Sequence, residues 1–358
     1  MIVRMKKVRI LQLLVLLGGL LCCTALLAHT NSISADSNPS LFDIMHYQEV
    51  VDITLETDLA PLKDQRNDVE YQKAKFSFKD EQGQQRNWDI RVRIRGNFRR
   101  KFCNEFPPLK VDFDKDDLRA EGLADFDDMK LVTFCLDDKY VAKKLLLKEY
   151  LAYKFFNQLS DISYRVQLVK ITYIDSNTGN KSKQWGFFIE DTAQLQDRLN
   201  LVDCESCYNR PMESFNQEQL ETVSLFQYLI GNSDWDLVHI RNVKLFTKAG
   251  KIIPVPYDFD FSGLVNAPYA IPNPDFQLES RQERVYLGFA ESLEDMEGLK
   301  QEFMRKMPEL VKITKKFKPL NLEGRAEVTE YLGSFYENDI NNIQLPPQKQ
   351  VPVETDDD

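Results

Sequence analysis

Five polar side chains within residues 231–263 carry the chemistry of this chain. The run GNSDWDLVHIRNVKLFTKAGKIIPVPYDFDFSG sets Asp234, Asp236 and Asn242 on a loop, then returns Asp258 and Asp260 after an expected hairpin. Phosphoryl transfer from a metal-bound nucleotide needs such a set. One carboxylate orients the attacking hydroxyl and takes its proton, while an Asn and a second carboxylate hold the Mg²⁺ that bridges the phosphates. Asp234 and Asp236 are the catalytic candidates, and Asn242, Asp258 and Asp260 the candidates for metal. Asp258 and Asp260 alternate about Phe259, so both carboxylates project to one side, which is costly unless a cation or an Arg offsets the repulsion. Ca²⁺ or a salt bridge would do that without catalysis, and Asn-Ser-Asp is turn chemistry in its own right.

These residues need elements to hold them. Strand-like alternation runs over 48–56, 74–80 and 88–95, the last with Ile90, Val92 and Ile94 on one face and Arg91, Arg93 and Arg95 on the other. Short strands are expected at 109–113 and 130–134. A helical period covers 140–157, followed by strands at 165–175 and 184–189. Helices are expected at 217–229, capped by Asn216, and at 293–307 and 325–337. The order predicts a β-rich part over 46–190 and a mainly helical part over 191–343 that carries the loop segment.

Arg4, Lys6, Lys7 and Arg9 precede an apolar run over 10–28, the pattern of a signal peptide or an uncleaved membrane anchor. Residues 29–45 then form a linker, and the chain is expected to be exported, to the periplasm, the cell envelope or the medium. Loss of residues 1–28 would take the net charge from −10 to −14, which argues against nucleic-acid binding. The tail 344–358 is proline-rich and acidic, a disordered composition. Cys103, Cys135, Cys204 and Cys207 allow two disulfides in three pairings. Zinc at Cys204 and Cys207 lacks a second pair of ligands.

The chain resembles the CotH-like family of atypical, secreted or spore-associated protein kinases, and a set of related exported bacterial proteins. The resemblance covers about residues 88–290. It rests on RIRGNFRR (93–100) leading to FPPLKVDF (106–113), on KEYLAYK (148–154), on WGFFIE (185–190), and most of all on the GNSDWD…RN…PYDFDFSG run. It implies a bilobal protein-kinase-like α+β fold that binds ATP with Mg²⁺ or Mn²⁺ and phosphorylates another exported protein, as a monomer. It casts Asp234 as the catalytic carboxylate, Asn242 and Asp258 as metal holders and Asp260 as an auxiliary ligand. Lys110 would reach the phosphates with Glu149 as its ion-pair partner, and Glu190 would lie at a hinge near the adenine. Two departures stand out. Asp234 and Asn242 are eight positions apart where ordinary kinases have about five, so either the loop carries an insertion or Asp236 is the working carboxylate. No G-x-G-x-x-G loop occurs; the turn at Gly96 and Asn97, flanked by Arg95, is the one candidate to cover phosphates. The alternative is a non-catalytic scaffold or cell-surface assembly protein whose acidic cluster binds Ca²⁺ or nothing. A metal-dependent hydrolase is a third class.

Overall fold

Alternation of apolar and polar residues builds the strands of the first half. The computed structural model describes residues 38–64, 70–96, 106–133, 136–272, 274–289 and 296–337. The apolar run 10–28, most of the linker, Cys103, Cys135 and the tail lie outside them. Strand β1 (Val50–Thr57) buries Val51, Ile53 and Leu55, β2 (Gln72–Lys79) buries Ala74, Phe76 and Phe78, and β3 (Gln85–Ile94) buries Trp88, Ile90, Val92 and Ile94. Strands β4 (Leu109–Phe113), β5 (Asp128–Val132), β6 (Val166–Asp175) and β7 (Lys181–Ile189) complete the set.

These seven strands close into a barrel of order β1-β2-β3-β4-β5-β7-β6. All neighbours are antiparallel except the closing pair, in which β6 runs parallel to β1 with Val50 opposite Leu168 and Thr57 opposite Asp175. Aromatic rings fill the interior: Phe76 meets Phe113 edge-on at 5.3 Å and Phe188 at 6.0 Å, and Phe78 stacks on Trp88 at 5.8 Å. Short helices α1 (Leu41–Met45), α2 (Leu59–Asp64) and α3 (Lys115–Ala120) sit between and before the strands. Ser40 and Asp43 form a capping box on α1.

Helix α4 (Lys139–Leu159) connects the barrel to the rest. It is buried on nearly every side, as an element packed from several directions must be. Its Tyr153 touches Phe187 of the barrel at 5.6 Å and Phe259 of the loop segment at 4.6 Å. Beyond α5 (Thr192–Leu199) come β8 (Val202–Asp203), α6 (Gln217–Leu229) and the hairpin β9 (Val243–Lys248) and β10 (Lys251–Pro256), the three strands forming a second sheet. Helices α7 (Glu297–Lys316), which runs through Pro308, and α8 (Leu322–Glu337) complete the described chain.

The bilobal kinase-like expectation is corrected here. The first part is a closed barrel, and long loops and a three-stranded sheet share the second part with its helices. Nor does the chain divide near Glu190: from Pro39 onward it is one compact unit. The reason lies in the packing. One apolar cluster contains Val166, Leu168 and Phe187 of the barrel together with Phe226, Phe259, Leu310 and Phe335.

Candidate functional site

The segment 231–263 is closed at its base and strained at its working end. Gly263 and Leu264 donate their N–H groups to the carbonyls of Gly231 (2.9 Å) and Ile230 (3.0 Å), so both ends leave α6 together. Trp235, 1 % exposed, anchors the loop in the core. Ile240, Asn242 and Asp258 all adopt left-handed φ, at 53°, 51° and 63°. For a β-branched residue such as Ile240 that is a real cost, borne only where the surroundings dictate the backbone. At Asp258 the cause is visible: its N–H donates to the Tyr153 hydroxyl of α4 at 2.9 Å.

Asn242 turns back onto Asp234. Its Nδ2 donates to the Asp234 carbonyl at 2.6 Å and to Oδ2 of the carboxylate at 2.9 Å, while Asn232 Oδ1 accepts from the Asp234 N–H at 3.0 Å. Burial holds the Asp234 carboxyl above the usual carboxylate range; the Arg241 guanidinium, 3.6 Å away, opposes this, and the nearby Asp258 charge adds to it.

The eight-residue spacing has a structural origin. Asp236 and Arg241 exchange backbone hydrogen bonds of 3.1 and 2.9 Å, folding residues 236–241 into a side turn. Asp236 belongs to that turn. Its carboxylate accepts from the His239 N–H at 2.8 Å and lies 3.0 Å from Nδ1 of the same exposed ring. Burial works against its charge, but His239 holds the Asp236 carboxyl below its ordinary value. Asp234, not Asp236, therefore meets Asn242.

Glu149 of α4, Asp258 and Asp260 bring one carboxylate oxygen each to within 4.8 Å of one another. Two oxygens on one cation at about 2.1 Å, as for Mg²⁺, lie at most about 4.2 Å apart; at about 2.4 Å, as for Ca²⁺, the limit is about 4.8 Å. All-oxygen donors also suit hard cations. The donor set fits a divalent ion of this kind. Tyr269 donates its hydroxyl to Asp260 at 3.2 Å and fixes that carboxylate from behind.

The cationic side differs from expectation. Lys110 pairs with Asp128 at 2.6 Å on the outer barrel wall, rather than with Glu149. Its cross-strand neighbour Lys130 turns to the site instead. The Lys130 ammonium lies 5.5 Å from the Tyr257 ring centroid and 5.7 Å from that of Tyr164. Burial, with Arg95 and Lys244 nearby, pulls its pKa down to about 8. Arg95 also acts on Tyr153 and Tyr257, which places its charge on the Asp258 side. Glu190 is fully buried, and its carboxylate is taken by Arg165 at 2.5 Å and Arg198 at 2.8 Å, a structural cross-link rather than a side chain available to a base. Lys130 escaped sequence reasoning because on β5 it alternates like any outward lysine, and nothing in its own segment points to the Tyr257 ring it approaches.

Cys204 and Cys207 are at disulfide distance, with Cα atoms 5.6 Å apart. Their loop backs the site: Cys204 donates its N–H to Leu245 and Asn209 donates to Val238, at 3.2 and 3.3 Å.

No protein-family model matches the chain, and no curated protein does. Neither comparison therefore shows the CotH-like family. Among solved structures the chain is similar to the Helicobacter pylori proinflammatory kinase CtkA, at 13 % identity over 65 % of this chain and 91 % of that one, with a TM-score of 0.35.

Proposed function

We propose that the chain is a metal-dependent phosphotransferase whose site is formed by Asp234, Asn242, Asp258, Asp260 and Glu149. The observation that supports it most is the meeting of a bonded pair and a three-carboxylate cluster in one place. Asn242 is bonded to the Asp234 carboxylate, and Asp258, whose charge acts on Asp234, belongs to the three-carboxylate cluster. The carboxylates and Asn242 would hold Mg²⁺ or Mn²⁺ carrying ATP. Asp234 would orient a hydroxyl of an exported protein and accept its proton as the oxygen bonds to the terminal phosphorus. The bond from that phosphorus to the bridging oxygen then breaks, and ADP leaves with the electron pair. Lys130 and Arg95 would meet the phosphate charge, in place of Lys110. None of this requires a bilobal fold.

The test is a thermal-shift series on the full-length protein with ATP and Mn²⁺ or Mg²⁺. The proposal expects stabilisation that needs both metal and nucleotide and is lost in Asp258→Ala. A shift with Ca²⁺ alone and none with nucleotide would replace it with the non-catalytic, cation-binding alternative.

A further inference from the structure

The outer wall of the barrel carries a basic, aromatic patch that the acidic site does not use. Successive side chains of a strand point to opposite faces, so Lys183 and Trp185 of β7 share the outward one. In the ladder with β6, Trp185 lies opposite Lys170 and Lys183 opposite Thr172. Helix α4 adds Lys143. Its ammonium lies 4.5 Å from the Trp185 ring centroid, and that of Lys170 lies 5.0 Å from the same point. Lys170 and Lys183 are exposed, and Lys143 and Trp185 are half-buried.

An indole attracts an ammonium group through its π-face, but two ammonium groups on one ring also repel each other. Burial, and then the Lys170 charge, pull the Lys143 pKa down, with no carboxylate acting in the opposite sense. Asp52 of β1 stands beside Lys170 in the sheet. Neither it nor any other described carboxylate forms an ion pair with Lys143, Lys170 or Lys183. In a chain of net charge −10, three such lysines around one tryptophan make a local positive surface.

Tryptophan beside lysine is the chemistry of a bilayer interface. The indole settles at the level of the headgroups, and long lysine stems carry their charge to the phosphates. The chain also gives a bilayer reason to be near. The apolar run 10–28 ends ten residues before Pro39, and ten extended residues span at most about 35 Å. Retained as an anchor, the run would hold the barrel within that reach of a membrane. We propose that this face of the barrel docks on an anionic phospholipid surface, with Trp185 at the headgroups and Lys143, Lys170 and Lys183 on their phosphates. The proposal stands independently of the phosphotransferase reading.

Acetylation of lysines, read residue by residue by mass spectrometry, tests it on the full-length protein in vesicles. One set of vesicles is phosphatidylcholine alone, and the other has phosphatidylglycerol added. Lys143, Lys170 and Lys183 should react at least about threefold more slowly in the anionic set, since each basic residue near such a surface strengthens attachment roughly fivefold. The protection should fade as salt rises, and Lys251 of β10 should react alike in both sets. In Lys170→Glu/Lys183→Glu, which changes two exposed side chains, Lys143 should lose its protection. Equal reactivity of the three lysines in the two sets, a comparison that needs no variant, would overturn the proposal. So would protection that survives the charge reversal. Protection by polyglutamate but not by phosphatidylglycerol would overturn it too, and assign the face to an acidic protein.

Discussion

Burial and a neighbouring carboxylate both work against the charge on Asp234, while burial and like charges work against that on Lys130. The phosphotransferase reading needs both groups charged, so stabilisation by metal and ATP should follow a bell in pH. Its acid limb should lie above the ordinary aspartate range and its alkaline limb near about 8, where Lys130 loses its proton. Lys130→Met should flatten the whole bell; a pH-independent shift would remove both residues from the site. Asp234 also leaves a mark on the unliganded protein. Its carboxyl releases its proton at higher pH when folded than when unfolded, so stability falls as pH rises between those two values. Asp234→Asn should therefore be more stable than wild type at pH 7, with the gap closing in acid, as urea unfolding at several pH values would show. At the base of the loop the limit is steric. A Cβ on Gly231, which has φ +61°, would run into the Tyr331 hydroxyl. Gly231→Ala should cost about 2–4 kcal/mol, partly restored by Tyr331→Phe.

The elements were legible where a pattern is local. Barrel strands β1 to β3 announced themselves by alternation and α4 by its period, and all seven strands were expected within a few residues of their observed ends. What alternation cannot carry is the identity of a distant neighbour. Nothing in 50–57 says that 168–175 lies beside it in parallel, so the closure of the barrel was invisible and the sequence order suggested two lobes. One helix runs longer than expected: instead of stopping at 307 it continues through Pro308 to Lys316, because its buried face, with Phe303, Met307 and Leu310, holds it in place. The meeting of Asp234, Asn242 and Asp258 was legible from residue types and spacing. Lys130 was not, since its place depends on Tyr164 and Tyr257 arriving from two other elements. The Cys204–Cys207 pair closes a short loop against β9 and the side turn, so its effect should stay local. Opening so short a loop should cost about 2 kcal/mol. In Cys204→Ser/Cys207→Ser, amide exchange should accelerate at Cys204→Ser, Asn209 and the 236–245 backbone while the barrel strands keep their protection; equal acceleration everywhere would refute a local clip.

For the whole molecule the question is whether the barrel and the site segment unfold as one. The barrel interior has an apolar cluster of its own around Phe76, Phe78 and Trp88, but Phe187 of the barrel belongs to the cluster of Phe226 and Phe259, and Tyr153 bridges the two parts at 5.6 and 4.6 Å. Helix α4 adds polar ties to α8: Lys148, nearly buried, pairs with Glu327 at 2.7 Å, and Lys144 with the same carboxylate at 2.8 Å. Exposing either part alone would uncover this shared surface without the chain entropy released by unfolding both. Unfolding should thus be a single transition. Two tryptophans report on it separately, Trp88 inside the barrel and Trp235 under the site loop. With Trp185 and one of these two replaced by Phe in turn, the two urea midpoints should coincide. Phe187→Ala, expected to cost about 3–5 kcal/mol as a large-to-small change in a packed core, should move both midpoints together. A lower midpoint for Trp88 alone would mean that the barrel is an independent unit after all, and that the shared core only decorates a boundary between two domains.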